Sequence, residues 1–119
     1  MPFSSAFDWR PETGTQVLVI DKDDLSRRRV HELPTFGFFH LGDAWEEADG
    51  TLRFDVCVHK DMDFAARGAR QLLNGVPTGD EPAELAMAVL PPSGPGRLER
   101  TGAVAEFPRG DPRRAGQAR

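Results

Sequence analysis

The segment LRFDVCVH, residues 52–59, alternates between two faces without a break. Leu52, Phe54, Val56 and Val58 share one face, while Arg53, Asp55, Cys57 and His59 share the other, which is the period of two of a half-buried strand. Asp49-Gly50 stands just before it, a dipeptide suited to the positive φ angles of a tight hairpin turn. Residues 35–59 are therefore predicted to hold a hairpin, the strongest structural signal in the chain.

Shorter signals surround it. Thr15–Ile20, TQVLVI, is a β-branched run that ends in DKDD, the composition of a strand followed by a turn. Arg28–Leu33 is a second strand candidate, closed by Pro34. Between Asp61 and Asn74 the period changes: Phe64, Ala65, Ala69, Leu72 and Leu73 fall at helical spacing, with Gly75 and Pro77 beyond as stop signals. Leu85–Leu90 is predicted to be a strand, although its apolar run has no period that distinguishes strand from helix. Leu98–Arg100 and Val104–Phe107 read as two further strands around a turn at Thr101-Gly102. Residues 1–14, with Pro2, Pro11 and Gly14 among polar neighbours, read as irregular, residues 15–108 as the folded body, and residues 109–119 as a polar basic tail. Several short strands with one helical insertion predict an all-β fold of sandwich, barrel or propeller type.

Composition narrows the functional classes. A chain of 119 residues suffices for one domain, burying about two thirds of the surface its unfolded form exposes. No apolar run approaches the ~20 residues needed to span a bilayer, and MPFSSAFDWRPETG lacks a basic cluster followed by an apolar core, so a cytoplasmic protein is the expectation. The net charge of -4 gives no basic footprint for nucleic acid, and Arg109, Arg113, Arg114 and Arg119 read as a solvated tail. A single cysteine, Cys57, excludes an internal disulfide and a cysteine-based zinc site.

Local motifs for catalysis are few. His31, His40 and His59 show neither HxH nor HxxxH spacing, so no single element brings two imidazoles to one metal. With Gly37–Leu41 extended, His40 shares a face with Phe36 and Phe38, and on local sequence alone it reads as a core or edge histidine satisfied by a backbone carbonyl. Glu46 and Glu47 are adjacent and so point to opposite faces, which suits a solvated hairpin better than a catalytic pair. Ser4, Ser5, Ser26 and Ser93 lack a nucleophile-elbow context, Cys57 has no helix terminus or cation beside it in sequence, and GPG at 94–96 is too short for a phosphate loop.

One longer pattern carries more. FFHLGDAWEEADGTLRFDVC resembles a segment of the carotenoid cleavage oxygenase family, the family of apocarotenoid and stilbene cleaving dioxygenases and of the retinal pigment epithelium isomerase. That segment has the form F-x-F-H-x-x-N-A-[YW]-E, then D-G, an apolar strand and an aspartate. His40, Ala44, Trp45, Glu46, Asp49, Gly50 and Asp55 match in order. Upstream, GTQVLVIDKDD resembles the strand and turn that precede it, and AEFPRGDPRRAG resembles the family's E-F-P-x-x-x-P-x-x-x-G, with RLERTGAV as the strand leading to that glutamate. The resemblance spans roughly residues 7 to 116. Asp43 departs from it, standing where the family pattern has asparagine; an ionised aspartate accepts hydrogen bonds there but donates none.

The resemblance implies a seven-bladed β-propeller with ferrous iron on its axis, held by four histidines, three of them hydrogen-bonded to outer glutamates. By motif, His40 is an iron ligand and Glu106 one of those glutamates, while His31 and His59 match no ligand position and read as surface or strand residues. Neutral imidazole suits Fe(II), and a carboxylate on the far ring N–H fixes its tautomer and orientation. The implied reaction is oxidative cleavage by dioxygen of a conjugated C=C bond in a carotenoid, apocarotenoid or stilbene, giving carbonyl products. Because one imidazole does not hold ferrous iron, the chain is expected to be a fragment of about two blades, from a truncated or frameshifted gene, inactive alone and prone to aggregate at its open blade edges. The alternative is a small stand-alone β-rich interaction or structural domain that uses no metal.

Overall fold

The computed structural model describes residue 6, residues 8–77, residue 79 and residues 82–118. The readings of residues 1–5, Ser4 and Ser5 among them, and of Arg119 lie outside these. Six strands form two antiparallel sheets among the described residues. β1 (Thr15–Ile20) and β2 (Arg28–Leu33) make a two-stranded sheet; β3 (Gly37–Glu46), β4 (Leu52–His59), β5 (Glu84–Leu90) and β6 (Arg97–Val104) make a four-stranded meander in the order β3-β4-β5-β6. The all-β expectation with a short helical insertion holds. No described helix is long and apolar enough to cross a membrane.

Turn chemistry sets the hairpins. In the β1–β2 connection the Asp21 carboxylate accepts from the Asp23 and Asp24 amides, and these bonds hold its pKa below the usual carboxylate range. The Ser26 amide and hydroxyl both donate to the Asp24 carboxylate. In the β3–β4 connection the Glu47 amide donates to Thr51 O, the Thr51 amide to the Asp49 carboxylate, and Gly50 takes φ +88°. That positive φ is why the aspartate-glycine signal was decisive: a side chain at residue 50 is strained.

The alternation in β4 becomes a division of labour between two faces. Val56 and Val58, with Ala86, Ala88 and Leu90 of β5, form one buried cluster with Leu33 and Phe36, against which Val17, Val19, Leu52, Phe54 and Leu98 pack. The β1–β2 sheet thus covers one face of the meander, as stacked sheets do. Gly96 permits the close approach: its amide donates to Glu32 O at 3.1 Å, and a Cβ on it would lie 2.6 Å from Leu33 Cδ2 and 3.0 Å from Glu32 O. The other face of β1–β2 is open, with Leu18 and Val30 directly paired and more than half exposed.

Two elements differ from expectation. Thr101-Gly102 does not turn the chain; β6 runs straight through it to Val104, and the extra residues are absorbed in a bulge opposite Glu84–Ala86. Glu84 holds that bulge, accepting from the Arg100 guanidinium and the Gly102 amide, and the Arg100 bonds chiefly lower its pKa. Residues 105–107, predicted as strand, leave the sheet instead. The 61–74 helix is present but irregular, a π-type turn at Phe64–Gly68 leading into α1 (Ala69–Leu73).

Replacing Gly96 by Ala is expected to destabilise the chain by about 1–3 kcal/mol, because the new methyl meets backbone as well as a side chain. Gly79→Ala, where no atom of the described residues lies within 4 Å, is the control with little change. Urea unfolding of both variants against the parent checks this.

Candidate functional site

β3 is longer than the strand it pairs with requires, and the surplus shapes the site. Phe38 pairs with Val58 but Leu41 with Val56, and Ala44 with Phe54, so β3 uses three residues where β4 uses two, twice over. Each shift is a bulge, and a bulge reverses the facing of the residues that follow relative to strict alternation. Phe39 and His40 are therefore turned to the face opposite the β1–β2 sheet. The sequence expectation that His40 shares a face with Phe36 and Phe38 is corrected by this bulge: Phe38 stays with Phe36, ring centroids 5.8 Å apart, while His40 faces the other way.

On that outer face the chain after β6 crosses the sheet. The Ala105 amide donates to Ala83 O at the start of β5. Glu106 then lies over the end of β4, with Oε2 3.8 Å from His59 Nε2. Phe107 packs on the His40 ring at 4.3 Å between centroids, tilted by 40°. Pro108 lies over Gly42: a Cβ at Gly42 would come within 3.0 Å of Pro108 Cβ and 2.9 Å of Asp55 Cβ. Gly42, inconspicuous in the sequence, is what lets this segment lie flat.

The aromatic residues close a ring around these groups. His59 stacks on Phe64 at 3.7 Å and 13°, Phe64 meets Phe39 edge-on at 5.1 Å, and Phe39 lies 6.5 Å from His40. A cavity of about 180 Å³ opens beside His59, lined by Lys60, Asp61, Asp63 and Phe64 among others. A cavity of about 680 Å³ lies elsewhere, between the β1–β2 turn and Glu46, and its lining shares no residue with this cluster.

The sequence-derived residues thus have definite places. His40 is half-buried on β3 and Glu106 is on the crossing segment, one residue from the phenylalanine that touches His40; the carboxylate itself meets His59. His31 and His59 are strand residues, as read, but not surface ones: their exposures are 6% and 8%. His59 belongs to the same cluster as Glu106, a placement that spacing along the sequence does not reveal; its outward parity on β4 was the available signal. Glu47 is more than a solvated hairpin acid, since it accepts from Trp45 Nε1 at 3.0 Å and pairs with Arg53 at 3.2 Å. Cys57 is buried, and that burial, with the Glu106 and Asp55 carboxylates nearby, pushes its thiol pKa up, the opposite of an activated nucleophile.

Among the described residues no group of three or more His, Cys, Asp or Glu side chains could hold a metal ion. His40 is a donor of the right type for ferrous iron, but the described residues do not by themselves make a cage for it.

A family model that covers the whole chain, residues 1–119, places it among the carotenoid cleavage oxygenase-like proteins. It belongs to the family described as retinal pigment epithelial membrane protein, whose model matches residues 1–119. The family is one of carotenoid oxygenases and isomerases. No curated protein and no solved structure matches the chain.

His31 provides a pH test of the fold apart from this cluster. It lies on β2 opposite Val17, its Nε2 is buried with no hydrogen-bond partner among the described residues, and burial, then Arg29, holds its pKa below 6.5. Below the unfolded value of about 6.5 the unfolded chain takes up the proton more readily than the folded one. Stability is therefore expected to be full at pH 8 and to fall as pH drops through 6.5, and His31→Gln should flatten that slope; urea midpoints across pH 5–8 measure it.

Proposed function

We propose that this chain is a part of a non-haem Fe(II)-dependent oxygenase that cleaves a conjugated C=C bond of a carotenoid, apocarotenoid or stilbene, within a β-propeller to which it contributes about two blades. His40 is its iron ligand, and Glu106 belongs to the carboxylate shell that orients such ligands. The observation that carries this reading is the meeting of two family motifs, distant in sequence, on one face of the sheet: His40 of the first packs on Phe107 of the Glu-Phe-Pro in the second.

Two further features support it. The meander β3-β4-β5-β6 has the size and antiparallel order of one propeller blade, and β1–β2 stacks against it as half of a neighbour. The open apolar face of β1–β2, with Leu18 and Val30, is the kind of surface that an adjoining blade covers. Supplied with the remaining ligand histidines, a ferrous ion here would activate dioxygen. What this chain contributes is a half-buried imidazole with Phe107 packed on its ring and Phe39 beside it.

The test is complementation. The isolated chain, reconstituted anaerobically with Fe(II), is expected to retain far less than one iron per molecule. Mixed with a family member's polypeptide that lacks only the corresponding segment, it should bind iron stoichiometrically and restore polyene cleavage. His40→Ala should abolish both, and Glu106→Ala should weaken iron binding by about 10–100-fold. Stoichiometric iron in the isolated chain, or complementation indifferent to His40, would sink the reading and favour a metal-free β domain.

A further inference from the structure

The segment that carries Glu106 and Phe107 has few anchors. Past the Ala105 amide bond to Ala83 it forms no ladder with the sheet, and both side chains stand well out, Glu106 half exposed and Phe107 at 66%. Contacts among the described residues that hold it across the face include Glu106 at His59, Phe107 at His40 and Pro108 at Gly42. The first joins a half-exposed carboxylate to an immobilised ring. His59 is buried at the end of β4, stacked flat on Phe64, which in turn meets Phe39. A ring so packed has little rotamer freedom left to lose, so the entropic cost of settling a carboxylate on it is mainly that of ordering the carboxylate itself. At 3.8 Å the pair is beyond a direct hydrogen bond and within ion-pair range.

We propose that His59 is a positioning residue for the His40 site: through Glu106 it holds residues 105–108 across the sheet, and so seats Phe107 on the His40 imidazole. His59 matches no ligand motif, so this is a role beyond the iron-ligand pattern. The consequence is geometric. Phe107 follows Glu106 directly, so a carboxylate pinned over β4 leaves the next side chain reaching over β3, where the bulge has turned His40 outward. Gly42 accommodates the proline that follows. Histidine at 59 therefore decides whether one face of the His40 ring is walled or open. The value of that wall rests on the reading of His40 as a ligand, whereas the arrangement itself can be tested with no metal present.

The experiment is long-range 1H–15N correlation of the histidine rings in the 119-residue chain, with His40 assigned through His40→Gln. In the parent the His40 ring protons are expected to be displaced upfield by Phe107, and Phe107→Leu should remove that displacement, which identifies its source. His59→Phe keeps a flat ring to stack on Phe64 but removes the nitrogen facing Glu106; the displacement should be lost in it as completely as in Glu106→Ala, while the backbone amide signals of β4 and β5 keep their positions. If His59→Phe leaves the His40 signals where they are in the parent, His59 acts by packing alone and the proposal is overturned. An unchanged Glu106→Ala spectrum overturns it equally, and that variant alters only a half-exposed side chain, so it remains informative should His59→Phe not fold. Failure here would leave the iron complementation result standing, and the converse.

Discussion

The structure depends on one face of β4 being committed to a core. Val56 and Val58 are almost wholly buried, and with Ala86, Ala88 and Leu90 they pack against Leu33 and Phe36 from the β1–β2 side. Sheets stacked in this way interlock at close to ~10 Å, and Gly96 brings the chain nearer still, to a backbone hydrogen bond with Glu32. Once that face is committed, strand parity sends Asp55, Cys57 and His59 to the other. Everything proposed for this chain's chemistry happens on that second face.

Parity alone would have kept His40 away from it. In an unbroken β3 paired from Phe38, His40 would follow Phe38 towards the core side, and no contact with the chain after β6 could form. The two register shifts between Phe38 and Ala44 remove the problem. Bulges add twist and re-aim side chains at the cost of ladder bonds, and they are common where a site is assembled. The same device recurs in β6, where the bulge at Thr101-Gly102 is clamped by Glu84 and sets the angle at which the chain leaves the sheet. Two irregularities on different strands thus bring one histidine and one Glu-Phe-Pro segment together.

The sharing of Glu106 gives the cluster its character. The family resemblance pairs that carboxylate with an iron-ligating histidine, whereas here it rests at His59, a residue from the neighbouring strand, while its successor covers His40. Both histidines are tied into the same aromatic ring system through Phe39 and Phe64. A contact made by a half-exposed carboxylate contributes little to stability, and this one is better understood as fixing a direction than as holding the fold.

What was legible in the sequence was local or motif-borne. The alternation from Leu52 to Val58, the aspartate-glycine turn, the strands at Thr15–Ile20 and Arg28–Leu33, and the helical spacing near Phe64 each report a preference that neighbouring residues settle among themselves. His40 and Glu106 were singled out by motif, and the family assignment agrees with the resemblance that named them. Only tertiary structure decided which way His40 faces, that Thr101-Gly102 is a bulge and not a turn, and that His59 is buried beside Glu106. Those outcomes depend on pairing register, which is chosen by the fit of one strand against another and by what covers each face. The partners involved lie on different strands, far apart along the chain, and no spacing rule reaches across that distance.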